Sequence, residues 1–305
     1  MSWRFGLDAS AHVRAVERGG ADVAPGVVGP LSKSELDVLA VRYPNQLHVS
    51  TQFSTNYFFL NTRVPPFDDV RVRRAVNVAF DREAFTRLLG RAFAPTCQIL
   101  PPNFPGYRPT CPYVSGGVTG LDRARRLVRS SGTAGARVRV WVPSPLAEQG
   151  RYMVSVLDSL GYRARLETVR PGPGFGAYFS KVTDSRVGAQ TGWSGWVAVY
   201  PSAVAFLVPL FSCAAFTPAS AERTTNVSEF CDRSIDAQIN RAATAQVQDP
   251  AAATVLWQQV EQSLLAQAPV VPTINRRNVD FVSERVGNYQ YNPQWGVLLD
   301  QLWVK

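Results

Sequence analysis

Few side chains in this sequence stand where they could do covalent chemistry. Asp68 and Asp69 are adjacent acids, a pairing that general acid–base catalysis can use. They come just before Val70 and the helically spaced Val72, Ala75, Val76 and Ala79, so capping the first amides of a helix accounts for them better. Ser194 lies in GWSGW, which lacks the GxSxG spacing of a nucleophile elbow. No HExxH and no glycine-rich phosphate loop occurs. His12 reads as a surface helix position and His48 as a strand position. No enzyme activity and no cofactor is expected. What the sequence offers instead is contact area. Trp193, Trp196 and Tyr200 are large rings close together, and Pro201 ends the element that carries them. Rings with polar tips line pockets at low entropic cost. Asn103, Phe104, Tyr107 and Tyr113 lie in a Pro- and Gly-rich stretch, 92–118. Such a length without regular structure suits a binding loop. The alternative is a stapled surface loop whose aromatics pin it to the core.

The four cysteines fall into two local pairs. Cys97 and Cys111 bracket QILPPNFPGYRPT, and Cys213 and Cys231 bracket a polar segment. A disulfide closing a loop of about 15 residues contributes about 3 kcal/mol in the chain-entropy model. Free buried thiols are the alternative. The spacing fits no zinc pattern, and the sequence has only two histidines to help. Disulfides would agree with an oxidising, extracytoplasmic location.

The elements that must position these residues are those of a mixed α/β protein. Helices are expected at His12–Arg18 after a Ser10 cap, and at Leu31–Val41 with Ser32 and Glu35 as a capping box. Strands are expected at Leu47–Ser50 and Tyr57–Leu60, and a short strand or turn at Ala21–Ala24. The helix after Asp69 should turn Arg71, Arg73 and Arg74 to water. The next, from Asp81, should bury Phe85, Leu88 and Leu89. Arg137–Val142, Glu148–Leu160 and Tyr162–Val169 read as strand, helix and strand, a parallel crossover. Further on come a helical turn or two at Ala203–Leu210, a helix opened by Asp249 and Pro250, and a strand at Val270–Ile274.

At 305 residues and 46% hydrophobic, the chain can bury a large core. Its net charge of +9 could suit an anionic partner, but the arginines are scattered, so nucleic acid is not expected. No run reaches the roughly 18 apolar residues of a membrane span.

The run LNTRVPPFDDVRVRRAVNVAFDR resembles the signature segment of the family 5 extracellular solute-binding proteins. These are the oligopeptide, dipeptide and nickel receptors of ABC importers. Asn61, Pro66 to Arg71, Val72, Arg73, Ala75, Asp81 and Arg82 carry the match. Trp196 to Pro201, the segment around Phe230 and Asp236, and Trp257 with Glu261 and Leu264 resemble later family segments. The resemblance covers only the C-terminal part of those longer chains. It implies a two-lobed periplasmic-binding-protein-like α/β fold (type II) whose N-terminal part is missing here. Residues 1–85 would form part of lobe I, 86–270 lobe II, and 271–305 a return to lobe I. It further implies a peptide or other small solute bound in an interlobe cleft by Trp193, Trp196, Tyr200, Asn103, Phe104 and Tyr107. The implied partners are the importer's permease subunits, on the outer face of the membrane, with an anchor N-terminal to the part seen. Val199 departs from the family, which often has an Asp there to hold a peptide's α-ammonium. The alternative is a ligand-sensing or interaction module of a larger actinobacterial regulatory protein, which would be cytoplasmic.

Overall fold

The computed structural model describes residues 2, 4–6, 8–27, 31–113, 120–216 and 224–305. In chain order the elements are α1 (Ala9–Glu17), β1 (Val23–Ala24), α2 (Lys33–Arg42), β2 (Leu47–Leu60), α3 (Val70–Ala79) and α4 (Arg82–Leu89). Then come β3 (Phe93–Pro95), α5 (Leu121–Ser131), β4 (Arg137–Pro143), α6 (Ala147–Ser159), β5 (Arg163–Val169) and α7 (Gly176–Val182). After β6 (Thr191–Val197), the helices α8 (Val204–Phe211), α9 (Arg233–Gln248) and α10 (Pro250–Gln267) lead to β7 (Val270–Val282). The chain closes with the short strands β8 (Val286–Gly287), β9 (Tyr291–Asn292), β10 (Gly296–Val297) and β11 (Trp303–Val304). None of the described helices is long and apolar enough to cross a membrane.

The chain divides into two units. Unit 1 is Met1–Phe53, Thr86–Ala94 and Asn275–Lys305; unit 2 is Ser54–Phe85 and Pro95–Ile274. In unit 2 the strands run β7, β2, β6, β4, β5 across the sheet. β2 is antiparallel to β6, with Phe58 opposite Trp193. β4 is parallel to both β5 and β6, which is the crossover expected around α6. Val138, Val140 and Val142 are buried along β4. In unit 1 β1 pairs antiparallel with the end of β7, Val23 opposite Val282. Val13 and Val16 of α1, Leu36 and Leu39 of α2, and Phe281 form its core. Val38, Val41, Trp295 and Trp303 of the same unit are exposed.

Two arginines hold the frame of unit 2. Arg82 is buried, and its guanidinium donates to Thr96 O at 3.0 Å, Pro272 O at 2.8 Å, Asn77 O at 3.1 Å and Asn77 Oδ1 at 2.9 Å. Arg73 is buried as well, donating to Gln267 O at 2.9 Å and Phe67 O at 2.8 Å. Asn77 lies between them and donates to Val270 O at 3.0 Å. The arginine fork suits this work because its N–H groups diverge in a fixed plane. The acceptors are mostly backbone carbonyls, so burial dominates and pulls both guanidiniums down to about 10.

The structure corrects several expectations. Arg73 does not face water: at position 73 the helix turns toward Phe67 and Gln267, and their carbonyls take the charge. Leu88 is exposed and leaves the apolar face of α4 to the buried Phe85 and the half-buried Leu89. Asp8, not Ser10, caps α1 by accepting from Ala11 N, while the Ser10 hydroxyl donates to Glu35 Oε1 at 2.9 Å. The two strands expected at 47–50 and 57–60 are one strand of 14 residues, and β7 runs eight residues past Ile274. The Ser32–Glu35 capping box forms as expected.

Both disulfides are present, Cys97–Cys111 with Cα atoms 5.1 Å apart and Cys213–Cys231 with Cα atoms 4.4 Å apart. Thiol labelling of unreduced, denatured protein should therefore find no free cysteine. Arg82→Met should lower stability by about 3–5 kcal/mol in urea melts, because buried carbonyls lose their donor. Arg126→Met, at an exposed position on α5, should leave the midpoint almost unchanged. Equal effects of the two would contradict the framework role of Arg82.

Candidate functional site

β6 delivers the aromatic residues singled out in the sequence. Two glycines let it lie close to its neighbours: a Cβ at Gly192 would come within 2.5 Å of Trp141 O, and one at Gly195 within 2.2 Å of Asn56 Nδ2. Positions 193 and 196 are an odd number apart, so their rings leave opposite faces of the strand. Trp193 is buried, edge-on to Phe58 with centroids 5.1 Å apart and 5.8 Å from Phe85. Trp196 is half-buried on the other face, and its indole N–H donates to Ala205 O at 2.7 Å. Past the strand end the side chains open to solvent. Tyr200 is 49% exposed and Val199 is 70% exposed.

Helix α8 joins this group to the loop closed by Cys97 and Cys111. Phe104 is buried against Phe206 of α8, edge-on with centroids 5.6 Å apart. Next to Phe104, Asn103 is exposed and takes a positive φ of 64°. Tyr107 is half-buried, and burial beside Glu261 raises its hydroxyl above the ordinary tyrosine range. Gly106 lies so close to Trp257 that a Cβ there would come within 2.6 Å of the tryptophan Cβ. Tyr113, at the far end of the loop, donates its hydroxyl to Leu265 O.

Two polar contacts that the sequence did not single out as site elements support this arrangement. Glu261 is buried in α10, and its Oε1 accepts from Ile99 N and Leu100 N, both at 2.8 Å. The Glu261 side chain thus holds the start of the loop. Burial pushes Glu261 up to about 8 against the pull of those two amides. The second contact is a chain through Gln246. Trp257 Nε1 donates to Gln246 Oε1 at 2.9 Å, and Gln246 Nε2 donates to Ser202 Oγ at 2.8 Å. Ser202 N donates to Tyr200 O at 2.8 Å, so α9 and α10 set the backbone that carries Tyr200.

Of the residues singled out in the sequence, Tyr200 and Asn103 are exposed, Trp196 and Tyr107 are half-buried, and Trp193 and Phe104 are buried in the core. Among the described residues no cluster of His, Cys, Asp and Glu could hold a metal. Unit 1 has a separate hollow of about 520 Å³ whose walls include Phe5, His12, Ala21, Val286 and Leu302. His12 Nε2 is buried and has no hydrogen-bond partner among the described residues. Neither feature is legible in the sequence, where His12 has the spacing of a surface helix position.

Compared with known proteins, the chain folds like HbpA2 from Haemophilus parasuis. The TM-score is 0.82 at 21% identity, over 99% of this chain and 57% of that one. The fold is accordingly the mixed α/β fold of the type II periplasmic-binding-protein class. The family model for bacterial extracellular solute-binding proteins, family 5 (middle) matches residues 1–218, and the chain belongs to that family. Among curated relatives, it is similar to the probable di/tripeptide-binding protein 5 of Pseudomonas aeruginosa (strain UCBPP-PA14). The two are 28% identical over 302 residues, covering 94% of this chain and 52% of that protein. It is also 22% identical to the glutathione-binding protein GsiB of Salmonella choleraesuis (strain SC-B67), over all of this chain and 58% of that protein. The chain therefore spans 52–58% of the length of these two relatives.

Glu261 gives the region a pH dependence of definite sign. Its folded-state pKa of about 8 lies above the ordinary carboxylate value of 4.5, so the folded state binds the proton more tightly. Its contribution is fully present below about pH 4.5 and is lost as pH rises through about 8. Glu261→Gln keeps an oxygen for both amides and should remove that slope, which is at most about 1.4 kcal/mol per pH unit. Urea melts at several pH values read it, and an unchanged slope in the variant would assign the dependence to another group.

Proposed function

We propose that this protein is the solute-binding component of an ABC importer and takes a peptide or other small solute on the aromatic wall of unit 2. Its family membership over residues 1–218 carries the reading. The wall supports it: Trp196, Tyr200, Asn103 and Tyr107 offer rings and polar tips on a scaffold fixed by Glu261, Gln246 and the Cys97–Cys111 disulfide. Such a site needs ordered contact area and a few polar groups, and it needs no catalytic residue. Trp193 and Phe104 would act from behind, keeping the wall rigid. The relatives reported above are binding proteins, which favours a receptor over a sensory module. The partners would be the importer's permease subunits. The location would be extracytoplasmic, at the outer face of the membrane, where two disulfides persist.

Val199 bears on specificity. It is exposed at the end of β6, where the family resemblance leads one to expect an Asp that pairs with a peptide's α-ammonium. An ammonium drawn out of water with no carboxylate partner is costly. A solute without a free amino terminus fits better. Calorimetric titration with trialanine and N-acetyl-trialanine should show tighter binding of the blocked peptide. Val199→Asp should reverse that order, by about tenfold or more for a charge-assisted contact. Tight binding of unblocked trialanine by the unaltered protein, with no gain from Asp, would put the ammonium elsewhere. Tyr200→Ala should weaken binding of either peptide, and an unchanged affinity would remove the wall from the site.

A further inference from the structure

A second group of side chains in unit 2 stands on β4 and β5 and includes none of the residues of the aromatic wall. β4 and β5 are parallel, and their register sets Arg137 opposite Arg163 and Arg139 opposite Arg165. All four are exposed. Residues paired in a parallel ladder share a face, as do residues two apart on one strand. The four guanidiniums therefore rise from one face on a grid of about 5 by 7 Å. Trp141 is next along β4 and is buried. Arg139 Cζ lies 5.4 Å from its ring centroid, and Lys181 Nζ of α7 lies 4.9 Å from it. Two cations over one ring make a fifth positive charge part of the same array. No described ion pair involves any of the five. Glu167, opposite Trp141 and half-buried, is the acid on this stretch of the register.

Like charges set directly opposite each other on a ladder weaken the sheet. β5 ends the strand order, and a charged edge does deter edge-to-edge pairing. Edge protection needs charge of either sign, however, and opposite signs in register would supply it without repulsion. Four arginines of one sign in register point to an anionic occupant. The chemistry of the face selects among such occupants. A protein interface has a dry apolar centre under a polar rim. Here the one large ring, Trp141, is buried with Arg139 and Lys181 over it, and what remains exposed is the charge of the arginines. That arrangement fits a diffuse, repeating array of phosphates.

We propose that the outer face of β4 and β5 is a docking surface for an anionic phospholipid membrane, engaged through Arg137, Arg139, Arg163, Arg165 and Lys181. The contact is electrostatic and shallow, and it is separate from solute binding. Juxtamembrane cations each strengthen adsorption about fivefold at low salt, and the effect fades within a Debye length.

Sedimentation with vesicles tests this, using three parts phosphatidylglycerol to seven parts phosphatidylcholine and, in parallel, phosphatidylcholine alone. The protein should adsorb to the anionic vesicles at low salt, release at high salt, and ignore the neutral ones. Arg163→Gln with Arg165→Gln should weaken adsorption about 25-fold. It should also raise the melting temperature slightly, because like-charge opposition is relieved. Arg123→Gln with Arg126→Gln removes the same charge from exposed positions of α5 and should leave adsorption within about twofold. Equal losses in the two variants would mean that net charge alone drives binding and would overturn the proposal. Failure of the unaltered protein to adsorb would overturn it too. So would binding of inorganic phosphate or a polyglutamate peptide that depends on Arg163 and Arg165 while vesicles are ignored.

Discussion

The Arg82 guanidinium is buried among carbonyls from three parts of the chain: the end of α3, the segment after β3, and the start of β7. A charge drawn out of water in this way is costly unless its donors are met, and each carbonyl would be costly without a donor. The arrangement holds only when all these segments are in place together. Arg73, on the preceding helix, repeats the device and ties the N-terminal end of α3 to the end of α10. Asn77 closes the gap between them by donating to Val270 O. No apolar side chain could do this, because the carbonyls of Thr96, Gln267, Val270 and Pro272 lie at loop starts and strand starts. These buried polar contacts thus fix α3, α10 and the start of β7 relative to one another within unit 2.

The aromatic wall depends on that frame through α10. The same helix whose last carbonyl is held by Arg73 carries Glu261, which holds Ile99 and Leu100, and Trp257, which packs under Gly106. Through Gln246 it also reaches Ser202 and the backbone of Tyr200. The loop and the end of β6 are therefore positioned by one rigid element. The Cys97–Cys111 bridge limits what the loop can do when that element loosens. Binding surfaces gain from such preorganisation, because ordering that is already present in the free protein need not occur on association.

Much of the fold was legible from local signals. The capping box at Ser32, the alternation of Arg137–Val142, and the strand–helix–strand pattern through Val169 each depend on residues close in sequence. Both cysteine pairs were local as well. What local reading missed was set by distant partners. Arg73 has the spacing of a surface residue, and only the carbonyls of Phe67 and Gln267 make its position a buried one. β2 and β7 are long because each continues from one unit into the other, with the boundary inside the strand at Phe53 and at Ile274, where composition does not change. The wall was legible in part. Ring content and Pro201 drew attention to 193–200, but the odd spacing of Trp193 and Trp196 sends one ring into the core and leaves the other half-open. Glu261 and Gln246 were silent as site elements, because an acid and an amide within helices carry no sign of the amides they will meet.

The proposed solute-binding surface is formed by the accessible rings at the end of β6 and the stapled loop. Hydrogen–deuterium exchange tests it most directly, with and without the tightest binder from a library of blocked tri- and tetrapeptides. The account predicts slowed exchange at residues 99–107 and 196–203, with little change in α1 and residues 299–304. Protection confined to α1 and 299–304, around the hollow of unit 1, with 99–107 and 196–203 unaffected, would contradict it.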